Sequence, residues 1–148
     1  MKTCFFIGHR DTPEDVLPIL IDTVEQHISQ HGVCSFIVGH YGNFDRLAAK
    51  AVIAAKKSHP QITLSLLLPY HPAERPIATP AGFDDTYYPA AMENVPRQLA
   101  IVHANRYVAQ RADYLIAYVR HAPGNAHALL AYAQRKGVVT TNLAERSF

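Results

Sequence analysis

Hydrophobic residues along the chain switch repeatedly between short continuous runs and a four-residue recurrence. Thr3 to Ile7 is an apolar run that ends at Gly8, as a buried strand does when a turn bounds it. Thr12-Pro13-Glu14-Asp15 then supplies an N-cap, a proline at the first helical position and acids in the first turn. Val16, Leu20, Val24 and Ile28 follow every fourth residue until Gly32 stops the helix. Ser35 to Val38 reads as a second strand. His40-Tyr41-Gly42-Asn43 reads as a turn, and a second helix carries Leu47, Ala48, Ala51, Val52 and Ala55 on one face. Ile62 to Leu68 forms a third strand, closed by Pro69.

From Tyr70 to about Pro89 neither period persists, and Pro72, Pro76, Pro80 and Pro89 punctuate the stretch. It reads as a long loop of the kind that covers or contributes to a binding site. A third helix starts at Asn94-Val95-Pro96 and places Leu99, Val102, Arg106 and Ala109 at helical spacing up to Ala112. Asp113 to Val119 is a fourth strand. Pro123-Gly124-Asn125 opens a fourth helix with Ala126, Leu129, Leu130 and Ala133, and Gly137 separates it from a last strand, Val138 to Asn142.

Strands alternating with helices imply an α/β fold, here a Rossmann-like three-layer sandwich. Its mostly parallel sheet has five strands in the order 3-2-1-4-5. With 148 residues the whole chain, 1–148, makes one domain of this kind. Ligands of such sheets bind beyond the carboxyl ends of the strands where the winding reverses, between the first and fourth strands. That rule selects the loops starting at Gly8, Gly39 and Arg120.

Composition narrows the function classes. A chain 49% hydrophobic and 18% charged is globular, and no apolar run reaches the roughly 18 residues of a membrane helix. The N-terminal apolar run is too short for a signal peptide, so a cytoplasmic location is expected. Cys4 and Cys34 lie in apolar segments without CxxC spacing and read as buried free thiols. A net charge of +2, with dispersed basic residues, is not the footprint of a nucleic-acid binder.

The loops carry the chemistry. In Gly8-His9-Arg10-Asp11-Thr12, a glycine, backbone donors, a helix N-terminus and a guanidinium converge as a phosphate site would require. In the plainer reading Gly8 only makes the turn and Arg10 pairs with Asp11 or solvent. Gly39-His40-Tyr41-Gly42-Asn43-Phe44-Asp45 repeats the arrangement, with Gly42 admitting a close approach to the backbone. Asp45 binds a sugar hydroxyl or base edge, pairs with Arg10 or Arg46, or simply faces the helix dipole. Gly124 and Asn125 place another helix N-terminus across the crevice, with Asn125 alternatively just an N-cap. Arg106, flanked by Asn105 and Tyr107, points into the crevice or caps the helix surface, and Tyr87 and Tyr88 stack on a base or cover the sheet edge. His9, His40, His71 and His121 each follow a strand, but their spacing matches no local metal motif, so no metal site is expected.

Cys4-Phe5-Phe6-Ile7-Gly8-His9-Arg10, the Gly39-to-Asp45 turn with its alanine-rich helix, Asn105-Arg106-Tyr107 before Asp113-Tyr114-Leu115-Ile116-Ala117-Tyr118, and Tyr132-Ala133-Gln134-Arg135-Lys136-Gly137 together resemble the YpsA-like branch of the SLOG superfamily. The DprA and LOG proteins belong to the same superfamily. The resemblance covers nearly the whole chain. It implies a Rossmann-like domain that binds a nucleotide or nucleotide-derived ligand at its glycine-bearing loops, and it makes a homodimer a reasonable expectation. LOG-type phosphoribohydrolases carry a Pro-Gly-Gly segment, a Gly-Thr pair and a glutamate. This chain has Asn125 for the second glycine, His127 and Ala128 for the pair and Ala131 for the glutamate, which argues against that chemistry.

The leading expectation is therefore a sensor or accessory module for a small nucleotide-type ligand, with no resident cofactor required beyond that ligand. One alternative is a hydrolase of an N-glycosidic or phosphate bond, using Asp45, Asp84 or Asp85 with a loop histidine. The other, resting on superfamily analogy, is single-stranded DNA binding of the DprA type.

Overall fold

The computed structural model describes residues 1–121 and 124–145. Its centre is β1 (Lys2–Gly8), which pairs in parallel with β2 (Val33–Val38) on one side and with β5 (Tyr114–Tyr118) on the other. β3 (Thr63–Leu67) and β4 (Asp85–Tyr87) extend the sheet beyond β2, and β6 (Val139–Asn142) extends it beyond β5. The order is β4-β3-β2-β1-β5-β6, parallel at every pairing.

The expected five-stranded order is thus present with one strand added at the edge. β4 lies inside the proline-rich stretch read as loop. Its three residues are too few to show a period, and Leu67↔Tyr87 pairing with β3 is what makes them a strand.

Alternation along β1 divides the core. Cys4 and Phe6 face a cluster built with α1 (Leu17–His31) and α2 (Asn43–Lys56). Phe5 and Ile7 face one built with α3 (Ala100–Arg111) and α4 (Asn125–Arg135). The winding reverses between β1 and β5. Burial of the Cys4 thiol pushes its pKa far up, leaving it protonated and inert, whereas Cys34 is only half-buried.

The apolar recurrences at Val16, Leu20, Val24 and Ile28, and at Leu47, Ala48, Ala51, Val52 and Ala55, all lie in the core. Two local expectations do not hold. The first helix does not begin at Thr12: a 3-10 turn, Glu14–Val16, precedes α1, and no side chain caps it. The Thr12 hydroxyl donates instead to the His9 carbonyl at 2.6 Å, so it is spent inside the preceding loop.

The third helix does not start at Asn94-Val95-Pro96: a 3-10 turn, Arg97–Leu99, precedes α3, whose inward face is Ala100, Ala104, Val108 and Ala109, while Leu99 in that turn and Val102 in α3 are exposed. The alanine face brings this helix close to the sheet. The larger residues fall outside that contact, and this phase is invisible to a count of apolar residues. Pro123, placed at the start of the fourth helix, lies outside the described residues.

Gly8 is fixed by packing. A Cβ added there would sit 2.3 Å from Cγ of the buried Phe44 ring. Gly8→Ala is expected to lower stability by about 1–3 kcal/mol through overpacking. In a denaturant-unfolding double-mutant cycle with Phe44→Leu, the combined loss should be smaller than the sum of the two single losses.

Candidate functional site

The loops that leave β1 and β2 are clasped together. The first two N–H groups of α2, from Asn43 and Phe44, donate to the carbonyls of Arg10 (3.0 Å) and His9 (3.4 Å). The Asn43 side chain donates to Thr12 O at 2.6 Å and to Glu14 at 2.7 Å, and accepts from Arg46 Nε at 2.8 Å. Gly42 makes this approach possible, since a Cβ there would lie 2.8 Å from Arg10 Cα. The glycine admits a neighbouring backbone where the sequence suggested a ligand. The α2 N-terminus consequently spends its first donors within the protein.

A cavity of about 260 Å³ opens at the carboxyl end of β1, beside this clasp. Gly8, His9 and Arg10 form one side, and Gly39, Tyr41, Gly42 and Asp45 a second. Asn105 of α3 closes a third side, and Asn125 and Ala126 at the start of α4 a fourth, with Ile101, Val102 and Leu129 as apolar wall. Eight of the eleven residues singled out in the sequence therefore meet here: Gly8, His9, Arg10, Gly39, Tyr41, Gly42, Asp45 and Asn125.

The other three do not line it. Asn43 is engaged in the clasp, Arg106 lies over the Tyr132 ring at 5.4 Å, and Gly124 sits just before the α4 wall. On α3 it is Asn105, one position earlier, that reaches the cavity. Tyr87 and Tyr88 pack against the α3–α4 core cluster and are not part of the lining.

Two helix starts were candidates for anion binding at this end of the sheet, and they differ. Among the described residues no acceptor takes the N–H groups of Asn125 and Ala126, and no side chain caps α4. Among the described residues, a Cβ on Gly124 would meet nothing within 4 Å. Arg10 is exposed at the rim and, among the described residues, forms no ion pair. Arg46 is drawn away to Glu14.

Asp45, in the first turn of α2, folds back so that Oδ2 accepts the Tyr41 N–H at 3.1 Å and rests against Gly39. Among the described residues it has no ion-pair partner, neither Arg10 nor Arg46. Burial raises its pKa to about 6, opposed only by that one backbone donor. The two carboxylates considered with it lie elsewhere. Asp84 is held by Lys56 at 2.7 Å and by the Leu64 N–H at 2.8 Å, and Asp85 opens β4.

His9 Nε2 accepts the Arg120 N–H at 2.9 Å, which only a neutral ring protonated on Nδ1 can do. Its ring stacks on His121 with centroids 4.2 Å apart. Desolvation, followed by His121, pushes the His9 pKa down. His40 stacks on Tyr41, and His71 meets Tyr88 edge-on. Among the described residues no three His, Cys, Asp or Glu side chains gather as metal ligands would.

No family model matches the chain, and no curated protein matches it in sequence. No helix among the described residues is long and apolar enough to cross a membrane.

The Asp45 carboxyl binds a proton more readily in the folded than in the unfolded chain. Its contribution to stability is therefore complete below its ordinary pKa near 3.8 and is lost as pH rises through about 6. Asp45→Asn keeps an oxygen for the Tyr41 N–H and removes the charge. Its unfolding free energy should exceed that of the wild type by about 1–2 kcal/mol at pH 8, and the gain should vanish near pH 4.

Proposed function

We propose that the cavity at the end of β1 binds a small phosphate-bearing molecule, a nucleotide or a nucleotide derivative, and that the protein acts as a cytoplasmic sensor or accessory module for it. The observation that carries this reading is the start of α4, which has no cap among the described residues and whose Asn125 and Ala126 line the same cavity as Arg10, which has no ion-pair partner among them. A helix N-terminus directs several N–H donors and a partial positive charge at one point, and a guanidinium adds paired donors in a geometry that matches phosphate oxygens. Apolar Ile101, Val102 and Leu129 supply the surface on which the uncharged part of such a ligand rests. The location agrees with the rule for sheets whose winding reverses, since β1 and β5 flank that reversal. The resemblance to the YpsA-like branch of the SLOG superfamily supports the same ligand class.

One observation favours hydrolysis as a second reading. Of the three carboxylates considered, Asp45 alone is on the cavity, and its raised pKa suits a proton donor near neutral pH.

A thermal-shift screen against nucleoside phosphates, NAD and ADP-ribose tests the binding reading. A ligand present at 100 times its Kd adds about 2.7 kcal/mol, an upward shift of several degrees for a domain of this size. Arg10→Ala should abolish that shift while leaving the unliganded midpoint nearly unchanged, because the exposed Arg10 side chain has no ion-pair partner among the described residues. Incubating the wild type with each ligand that shifts the midpoint separates the two readings: binding alone releases nothing, whereas hydrolysis releases a free base, a sugar phosphate or inorganic phosphate.

A further inference from the structure

The two sides of the cavity offer opposite chemistry. β2 and β5 flank β1, and α2 and α4 cover opposite faces of the sheet, so the start of α2 and the start of α4 approach the cavity from its two sides with Gly8 and His9 between them. The α4 side offers donors, the N–H groups of Asn125 and Ala126. The α2 side offers an acceptor. Asp45 uses Oδ2 for the Tyr41 N–H, and among the described residues nothing donates to Oδ1.

A carboxylate on a cavity wall has only lone pairs to give. It attracts hydroxyl or amino donors and repels phosphate. The phosphate of a bound ligand is therefore directed to α4, and a donor-bearing part of the same molecule to Asp45. A cavity of about 260 Å³ is below the usual range for enclosing a drug-sized ligand, so it takes the sugar phosphate and leaves the base toward the opening. In a ribosyl 5-phosphate the groups on the far side of the ring from the phosphate are the adjacent 2- and 3-hydroxyls, both donors.

We propose that Asp45 is the specificity residue of this cavity, accepting the ribosyl hydroxyls through Oδ1 and so selecting a ribosyl phosphate over its 2-deoxy counterpart. This deepens the phosphate-binding reading and rests on it. Asp45 also has a structural duty, since its bond to Tyr41 pins the turn between β2 and α2. Asparagine retains an oxygen for that bond while losing the anionic acceptor, which separates the two roles.

Calorimetric titration of the wild type and Asp45→Asn with ribose 5-phosphate, 2-deoxyribose 5-phosphate and inorganic phosphate is the test. The wild type should bind the ribosyl compound about tenfold or more tightly than the deoxy compound, as loss of a hydrogen bond to a charged group implies. Asp45→Asn should bring the two sugars within about threefold, with inorganic phosphate bound no worse than by the wild type. Equal affinity of the wild type for both sugars overturns the assignment whatever the variant does, and so does an undiminished gap in Asp45→Asn. In either case binding of phosphate itself leaves the parent reading standing. If none of the three compounds binds the wild type, and no nucleotide shifts its thermal midpoint, the phosphate reading falls and this assignment falls with it.

Discussion

The carbonyl oxygens of His9 and Arg10 terminate α2. Most helix N-termini leave their first N–H groups to solvent, to a capping side chain or to a ligand. Here the loop leaving β1 turns its carbonyls onto Asn43 and Phe44, and Gly42 lets the two backbones approach. Gly8 is pressed from below by the Phe44 ring. This clasp joins segments about 33 residues apart and holds the β1 and β2 loops as one unit. The cavity wall from Gly8 to Asp45 depends on it, and so does the positioning of Asp45 itself, which must lie one turn into a helix whose start is fixed.

The same clasp takes the first donors of α2 out of use. With the first two α2 donors consumed, α4 is left as the helix end whose Asn125 and Ala126 N–H groups meet no acceptor among the described residues. Side-chain charge follows the same division. Arg46 leaves for Glu14 and Lys56 for Asp84, both away from the cavity, while Arg10 at its rim has no ion-pair partner among the described residues. His9 is kept neutral by burial, by its stack on His121 and by the Arg120 N–H that it accepts, so it adds no positive charge. The polarity of the cavity, donors toward α4 and an acceptor toward α2, follows from backbone packing more than from a surplus of charged residues.

Much of this molecule was legible in its residues. The alternation of apolar runs and four-residue recurrences specified every long element, the parallel order of the five main strands and the inward positions of α1 and α2. Those are properties of a few consecutive residues and of the requirement that each apolar face be covered. Locating the cavity also needed little more, because the reversal of winding places a crevice once strand order is known. That is why residues of three distant loops, Gly8 and Arg10 in one, Asp45 in the next and Asn125 in the last, do meet around one cavity.

Tertiary contact decided the rest. β4 is a strand only because β3 is beside it, and Thr12 is no cap because the His9 carbonyl holds its hydroxyl. Asn105 and not Arg106 reaches the cavity, because the alanine face of α3 sets that helix's rotation on the sheet. Above all, two helix starts with similar local sequence ended in different states, one with its first two donors spent on the loop after β1 and one whose first donors meet no acceptor among the described residues. Periodicity and turn chemistry are local and can be read along the chain. Whether a donor is already taken depends on which distant carbonyl the fold brings to it, and only the packed structure determines that.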